Sequence, residues 1–94
     1  MRENEIEEHL HTRIKELGGD YRRVSWIGRN HGPDDLILLP GRSFYAEVKR
    51  PGEKPRPGQA REHDRLRAAG ITVHVVSTKE EIDAILPKPT ESKQ

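Results

Sequence analysis

The sequence has no cysteine, and its longest uninterrupted apolar run is the four-residue segment from Leu36 to Leu39. The first absence excludes disulfide bonds, thiolate metal sites and cysteine nucleophiles. The second excludes a membrane-spanning helix, which needs roughly 20 apolar residues. The acidic N-terminal segment does not have the form of a signal peptide, so we expect a small cytoplasmic protein.

The chain also lacks an excess of either charge. Lys and Arg number 17 and Asp and Glu number 16, which leaves a net charge of +1 although 35% of the residues are charged. This balance argues against nucleic-acid binding through global charge and against a disordered polyelectrolyte. With 94 residues, we expect one domain over residues 1–86 with a modest core, followed by a disordered polar tail over residues 87–94.

Hydrophobic periodicity and turn residues predict an α/β fold with the element order αβββαβα. Helices are expected at residues 3–17, at 57–69 and after a capping box at 77–80, and strands at 20–27, 35–39, 43–49 and 71–77. The strands would form a mixed β-sheet flanked by helices. The last strand is rich in β-branched residues, which indicates that both of its faces are covered.

The hairpin of the second and third strands carries the most informative polar residues. Strand alternation places Glu47 and Lys49 on one face. If paired residue numbers sum to 81, Asp34 lies opposite Glu47; a sum of 83 places it opposite Lys49, and a sum of 82 places it on the other face. On either odd register, two carboxylates and one amine meet at one end of the hairpin.

Two carboxylates beside an amine are suited to metal-assisted phosphoryl chemistry. Mg²⁺ and Mn²⁺ prefer hard oxygen ligands and share the rest of their coordination shell with waters and phosphates. Such an ion polarises the phosphoryl oxygen and activates water, while Lys49 can orient that water or offset developing charge. An ordinary surface Glu–Lys alternation explains Glu47 and Lys49 alone, but it does not explain why Asp34 arrives there after a Gly-Pro turn.

Two further polar residues border the apolar faces of predicted helices. Glu7 stands three and seven residues before Leu10 and Ile14, and Gln59 lies in the first turn of the second helix. The helix dipole explains Glu7 and capping explains Gln59. Both side chains can also point toward the polar end of the hairpin, and the sequence leaves these two interpretations open.

Taken together, these residues resemble a stand-alone VRR-NUC domain of the PD-(D/E)XK nuclease superfamily. The resemblance covers residues 3–86 through the ordered motifs IEEHL with Glu7, GPDDLILLPG with Asp34, FYAEVKRPG with Glu47 and Lys49, PGQAREHDRLRAAG with Gln59, and ITVHVVS. It implies a restriction-endonuclease-like PD-(D/E)XK core and metal-dependent cleavage of DNA phosphodiesters. A non-catalytic DNA-binding module that keeps this fold is the alternative function.

The resemblance also implies roles for the site residues. The metal, Mg²⁺ or Mn²⁺, would be bound by Asp34, Glu47 and the backbone carbonyl of Val48, with Glu7 reaching it through a water. The catalytic set would comprise Glu7, Asp34, Glu47, Lys49 and Gln59. Small members of this family are often phage-encoded, homodimeric and selective for branched DNA. This implies a homodimer that resolves four-way junctions in a bacterial or phage-infected cell.

A local excess of positive charge predicts where DNA would bind. The Pro-rich loop after the third strand carries Arg50, Lys54 and Arg56, which are well placed to hold a DNA backbone. His31 precedes the Gly-Pro-Asp turn and is a further candidate phosphate contact, although a solvated loop histidine explains it too. The arginines at 61, 65 and 67 are equally explained as a solvated helix face.

Other site types are not indicated by the sequence. His9 and His11 are two apart on a helix and are expected to diverge, so no histidine metal site is predicted. No P-loop or dinucleotide-binding pattern is present, and no nucleotide cofactor is expected. For the homodimer, the candidate surface is the first strand region, with apolar side chains at Tyr21, Val24, Trp26 and Ile27, although core packing explains these residues as well.

Overall fold

The computed structural model describes residues 2–88 and confirms an α/β fold with the order αβββαβα. Its elements are α1 (Glu3–Glu16), β1 (Asp20–Arg23), β2 (Asp35–Leu39), β3 (Arg42–Val48), α2 (Pro57–Ala68), β4 (Val73–Val76) and α3 (Lys79–Ile85). Of the tail predicted over residues 87–94, residues 89–94 lie outside the described part of the chain. No helix within residues 2–88 is long and apolar enough to cross a membrane.

The four strands form one mixed sheet in the order β1-β2-β3-β4. The β1–β2 and β2–β3 pairs are antiparallel, whereas β3 and β4 are parallel. A tight turn joins β2 to β3 at Gly41, whose φ of 75° is the left-handed conformation that glycine adopts without strain. Parallel strands need a crossover, and the Pro-rich loop with α2 provides it between β3 and β4.

The main core lies on one face of the sheet, beneath α1 and α3. The buried residues of α1 are Ile6, Leu10 and Ile14, whose spacing of four places them along one side of the helix. They pack with Phe44 and Val48 of β3 and with buried residues of β2, β4 and α3. This side of the sheet therefore holds most of the buried apolar surface.

The other face of the sheet is partly covered by α2 and by the loop between β1 and β2. Tyr45, Glu47 and Lys49 alternate with the core residues of β3 and so face this side. The Trp26 ring of the loop lies 5.2 Å from the Tyr45 ring between centroids. His63 of α2 is buried, and this burial lowers the pKa of its imidazole. The positive charge of the nearby Lys49 lowers the His63 pKa further. The predicted catalytic strand thus faces α2.

The prediction of a first strand over residues 20–27 was wrong for residues 24–27, because β1 ends at Arg23. Ladder pairing with β2 stops after four residues, although the Val24 amide still donates to the Asp34 carbonyl at 2.8 Å. Trp26 turns back over the loop, and its indole N–H donates to the Pro33 carbonyl at 2.8 Å. The aromatic residue that suggested a strand therefore packs a loop against the sheet.

β4 is also shorter than the strand predicted at 71–77. Ile71 lies in the turn that follows α2, where its amide donates to the Leu66 carbonyl at 3.0 Å. Val76 joins the main core and Val73 is buried on the α2 side, so both faces of the strand are covered, as predicted.

The cap of α3 lies one residue later than the predicted box at 77–80. The Thr78 hydroxyl oxygen accepts a hydrogen bond from the Glu81 amide at 3.0 Å. The Glu81 carboxylate in turn accepts one from the Ser77 amide at 2.6 Å. Thr78 and Glu81 have the same spacing and chemistry as the predicted pair, but the Glu81 carboxylate binds the amide of Ser77 instead of that of the cap residue Thr78, so the reciprocal bond of a capping box is not made.

Candidate active site

The β2–β3 hairpin has the register in which paired residue numbers sum to 81. Asp35 pairs with Ala46, and Leu39 pairs with Arg42. Continuing this register by one residue places Asp34 opposite Glu47. Of the three registers that the sequence allowed, the structure therefore shows the one that brings these two carboxylates side by side.

Glu47 and Lys49 are buried at the end of β3. The Glu47 residue is 3% exposed, and its Oε2 atom lies 3.8 Å from Nζ of Lys49. Burial and, after it, the Asp34 carboxylate together raise the pKa of Glu47 to about 7, against the Lys49 ammonium, which acts in the opposite direction. Asp34 itself is exposed to solvent. The site thus combines one buried carboxylate, one exposed carboxylate and one buried amine.

The donor set fits a hard divalent cation. The Oε1 atom of Glu47 is buried and has no hydrogen-bond partner among the described residues. A buried carboxylate oxygen without a partner costs free energy, which a cation between Glu47 and Asp34 would offset. The Val48 side chain lies in the core on the other face, and the role of its carbonyl as a ligand stays a prediction.

Glu7 and Gln59 make other contacts in the structure. The Glu7 carboxylate pairs with the Arg23 guanidinium. Gln59 Oε1 accepts a hydrogen bond from the Arg56 amide at 3.0 Å, which caps the start of α2. Among the described residues, no hydrogen bond or ion pair joins Glu7 or Gln59 to Asp34, Glu47 or Lys49. Their catalytic roles therefore stay predictions.

The Pro-rich loop presents its cations to solvent beside the end of β3. Arg50, Lys54 and Arg56 are all exposed. The Arg50 amide donates to the Glu53 carboxylate at 3.1 Å, and this hydrogen bond helps to hold the pKa of Glu53 below its usual value. The Arg50 guanidinium lies 3.7 Å from the same carboxylate, so part of its charge is offset within the loop.

His31 lies at the rim of a cleft between its loop and α2. Its φ of 75° is a left-handed conformation that is uncommon for a residue with a side chain. The imidazole rests on Gly58 of α2, where an added Cβ would come within 2.8 Å of His31 Nε2. The cleft measures about 310 Å³ and is also lined by Arg29 and Arg61. Cationic side chains therefore surround a groove on the α2 side.

The predicted dimer surface is largely used inside the chain. Tyr21 stacks on His11, and Trp26 packs on Tyr45. Ile27 is 99% exposed. Of the four apolar residues proposed for a dimer contact, Ile27 is therefore the one that is fully available on the surface.

A second group of ligating side chains, which the sequence analysis missed, lies on the α1 side. Glu7, His11 and Asp35 each place one ligand atom within 4.8 Å of the others. His9 does diverge from His11, since its Nε2 atom meets Asp83 Oδ1 at 2.9 Å. Two signals could have revealed the group: the spacing of four between Glu7 and His11, and the strand alternation that turns Asp35 toward α1.

The chain is similar to one curated protein and to one solved structure over nearly its whole length. It is 42% identical over 88 residues to Putative nuclease p44 of Acyrthosiphon pisum secondary endosymbiont phage 1, a match that covers 93% of this chain and 94% of that protein. It also matches a solved structure named VRR_NUC domain with a TM-score of 0.83 and 38% identity, covering 88% of this chain and 91% of the other. No sequence profile of a protein family matches the chain.

Proposed function

Since the chain belongs to the VRR-NUC family of nucleases, we propose that it is a Mg²⁺- or Mn²⁺-dependent endonuclease that hydrolyses DNA phosphodiester bonds. The observation that carries the proposal is the buried Glu47, which lies opposite Asp34 and 3.8 Å from the Lys49 ammonium. Two carboxylates and an amine at the end of one hairpin have a direct use in phosphodiester hydrolysis and no evident use in packing the core.

Asp34 and Glu47 hold the divalent ion in this proposal, with the Val48 carbonyl as a third ligand. The ion supplies positive charge that stabilises the negative charge developing on the scissile phosphate. Lys49 orients the attacking water or stabilises the same developing charge, and its buried position limits the solvent that would screen it. The proposal retains Glu7 and Gln59 as members of the catalytic set, as the family resemblance implies.

The DNA backbone would lie along the α2 side of the sheet. The loop that follows β3 carries Arg50, Lys54 and Arg56. His31 lies at the rim of the cationic cleft, against Gly58 of α2. Each phosphate neutralised by such a side chain releases counterions, so binding weakens as salt is added. Replacing the three loop cations by alanine should weaken binding and flatten its salt dependence, which a titration of labelled DNA at several salt concentrations measures.

We further propose that the active species is a homodimer that prefers a four-way junction to linear duplex. A four-way junction has approximate two-fold symmetry, and a C₂ dimer would present two active sites related by the same operation. The fully exposed Ile27 supports a contact between copies, because a large apolar side chain gains free energy when it is covered. Light scattering at micromolar concentration tests the assembly, and Ile27→Asp should shift it toward the monomer.

One experiment separates this function from the alternative of a non-catalytic DNA-binding module. Labelled four-way junction, flap and linear duplex DNA are incubated with the protein, with and without Mg²⁺ or Mn²⁺. The nuclease proposal expects cleavage only with the metal, fastest on the junction. Binding without cleavage in every metal condition would support the module, and equal rates on junction and duplex would overturn the junction preference.

A further inference from the structure

Asp35 is a buried carboxylate that the proposed catalysis does not use. It begins β2 and pairs with Ala46, so it faces the α1 side, opposite to the face of Glu47. The residue is 1% exposed, and neither of its carboxylate oxygens has a hydrogen-bond partner among the described residues. A carboxylate in this position costs free energy unless a cation lies close to it.

Two potential metal ligands of α1 face Asp35. Glu7 and His11 are four residues apart, so they project from the same side of the helix. His11 Nε2 lies 3.6 Å from Asp35 Oδ1, and it too is buried without a hydrogen-bond partner. One ligand atom from each of these three residues lies within 4.8 Å of the other two.

The His11 ring is held in a fixed orientation. It stacks on the Tyr21 ring of β1 with 3.6 Å between centroids and an angle of 3° between the planes. This contact directs Nε2 toward Asp35 instead of toward solvent. Ligands whose orientation is fixed by neighbouring groups bind metals more tightly, since less freedom is lost on binding.

We propose that Glu7, His11 and Asp35 form a second divalent-metal site, separate from the Asp34–Glu47 pair and selective for Zn²⁺-class ions. One imidazole nitrogen with two carboxylates suits Zn²⁺, whereas Mg²⁺ prefers oxygen ligands alone. An ion at this position would tie α1 to the start of β2, next to Asp34. The site rests on the geometry of the α1 side and does not depend on the proposed nuclease function.

Arg23 is the cation that competes for this site. Its guanidinium contacts Glu7, and its Nη1 atom lies 3.5 Å from Asp35 Oδ1. The Arg23 side chain is 54% exposed, so it can turn into solvent when an ion binds. Removing this charge should therefore strengthen metal binding, and Arg23→Gln is expected to bind Zn²⁺ several-fold more tightly than the parent protein.

The test follows the five imidazole side chains by NMR while Zn²⁺ is added to the full chain. We expect the Nε2 resonance of His11 to shift with one equivalent of Zn²⁺. The matched control is the pair of His9 and Asp83 on the same side of the fold, which has no third ligand within residues 2–88. Asp35→Asn should abolish the His11 shift, and Asp83→Asn should leave it in place.

His11→Gln covers the case in which Asp35→Asn does not fold, because His11 is partly exposed and its loss leaves no new buried charge. In that variant one equivalent of Zn²⁺ should no longer raise the melting temperature, since an ion that binds only the folded state stabilises it.

An unchanged His11 resonance in excess Zn²⁺ would overturn the second site, as would a shift that survives Asp35→Asn. Weaker Zn²⁺ binding by Arg23→Gln would also contradict it. Glu7 belongs to both proposals, so the two are separated by the histidine signal. If the His11 resonance does not shift with Zn²⁺ but DNA is still cleaved, the second metal site alone is rejected. If the His11 resonance shifts but DNA is not cleaved, the nuclease function alone is rejected.

Discussion

Asp34 and Asp35 are neighbours in the chain, yet they face opposite sides of the sheet. Asp34 is exposed and lies opposite Glu47 on the α2 side, whereas Asp35 is buried against α1 beside His11. Strand alternation alone produces this difference, because successive side chains point to opposite faces. Two identical residues therefore acquire different partners. Their chemistry depends on which face of the sheet each side chain occupies and not on their adjacent positions in the sequence.

Each face of the sheet carries one buried strand carboxylate, Asp35 on the α1 side and Glu47 on the α2 side, and the two are compensated differently. On the α1 side, burial raises the pKa of Asp35 while the nearby Arg23 and His11 lower it. On the α2 side, Glu47 has the Lys49 ammonium at 3.8 Å and the added repulsion of Asp34. The α1 side also contains the main core. The sheet thus separates the main apolar core from the group formed by Asp34, Glu47 and Lys49, whereas Glu7 of the proposed catalytic set lies on the α1 side.

The largest effect is expected for Asp34→Asn, which should abolish Mn²⁺-dependent DNA cleavage. The substitution removes the negative charge of a carboxylate that we propose as a metal ligand, while keeping the size of the side chain. Asp64→Asn on α2 is the matched control, because Asp64 is highly exposed and Arg67, at 3.3 Å, is its one ion-pair partner in the part of the chain that the structure describes. Cleavage of labelled DNA at saturating metal measures both variants. Comparable loss in the two would show that the effect is not specific to Asp34.

Leu10→Ala should destabilise the fold by opening a cavity on the α1 side of the sheet. Leu10 is fully buried in the main core, and truncation of such a residue costs about 2–5 kcal/mol of unfolding free energy. The exposed neighbour Thr12 gives the control, since Thr12→Ala should change stability by less than about 0.5 kcal/mol. Urea unfolding measures both. A loss below about 1 kcal/mol for Leu10→Ala would place the main core elsewhere.

Lys49→Ala should act on chemistry more than on binding. Loss of one preorganised electrostatic stabiliser lowers the rate by about 10²–10³. Lys54→Ala is the control on the exposed loop, where we expect weaker DNA binding and a nearly unchanged rate at saturating DNA. Single-turnover cleavage and binding titrations separate the two effects. If Lys49→Ala weakened binding as much as it slowed cleavage, Lys49 would be a phosphate anchor.

The smallest effect is a pH dependence of stability from the α2 side. Burial, followed by the charges of Arg67 and Lys49, lowers the pKa of His63 in the folded protein. Near pH 6.5 the unfolded chain therefore binds a proton at His63 that the folded chain does not bind. The contribution of His63 to the free energy of unfolding thus falls as the pH drops below about 6.5. His63→Gln should lose less stability than the parent between pH 8 and pH 5 in metal-free urea unfolding. Equal losses of unfolding free energy in His63→Gln and in the parent would contradict a lowered pKa for His63.

Local signals predicted the β2–β3 hairpin better than any other part of the chain. The turn at Gly41 and the alternation of β3 placed Asp34 and Glu47 on a common face in two of the three registers considered. Tight turns and alternation depend on residues a few positions apart, so one sequence contains the information. The end of β1 depended on a distant contact between Trp26 and Tyr45, and the prediction failed there.

The group on the α1 side could not be found from local patterns alone. His11 and Asp35 are 24 positions apart, and they meet only because α1 crosses the sheet above the start of β2. Asp35 is the first residue of an apolar strand, and no residue near it in the sequence indicates that its carboxylate is buried. The contacts of Gln59 show the same limit, because capping and catalytic positions share one sequence signature.

The most direct test of the account measures Mn²⁺ binding by calorimetry, using His11→Gln as the parent so that the α1-side imidazole does not contribute. Asp34→Asn and Glu47→Gln are then added separately. If these two carboxylates hold one ion on the α2 side, each variant should lose the same Mn²⁺ site, and Asp64→Asn should retain it. Unchanged Mn²⁺ affinity in both Asp34→Asn and Glu47→Gln would contradict the account.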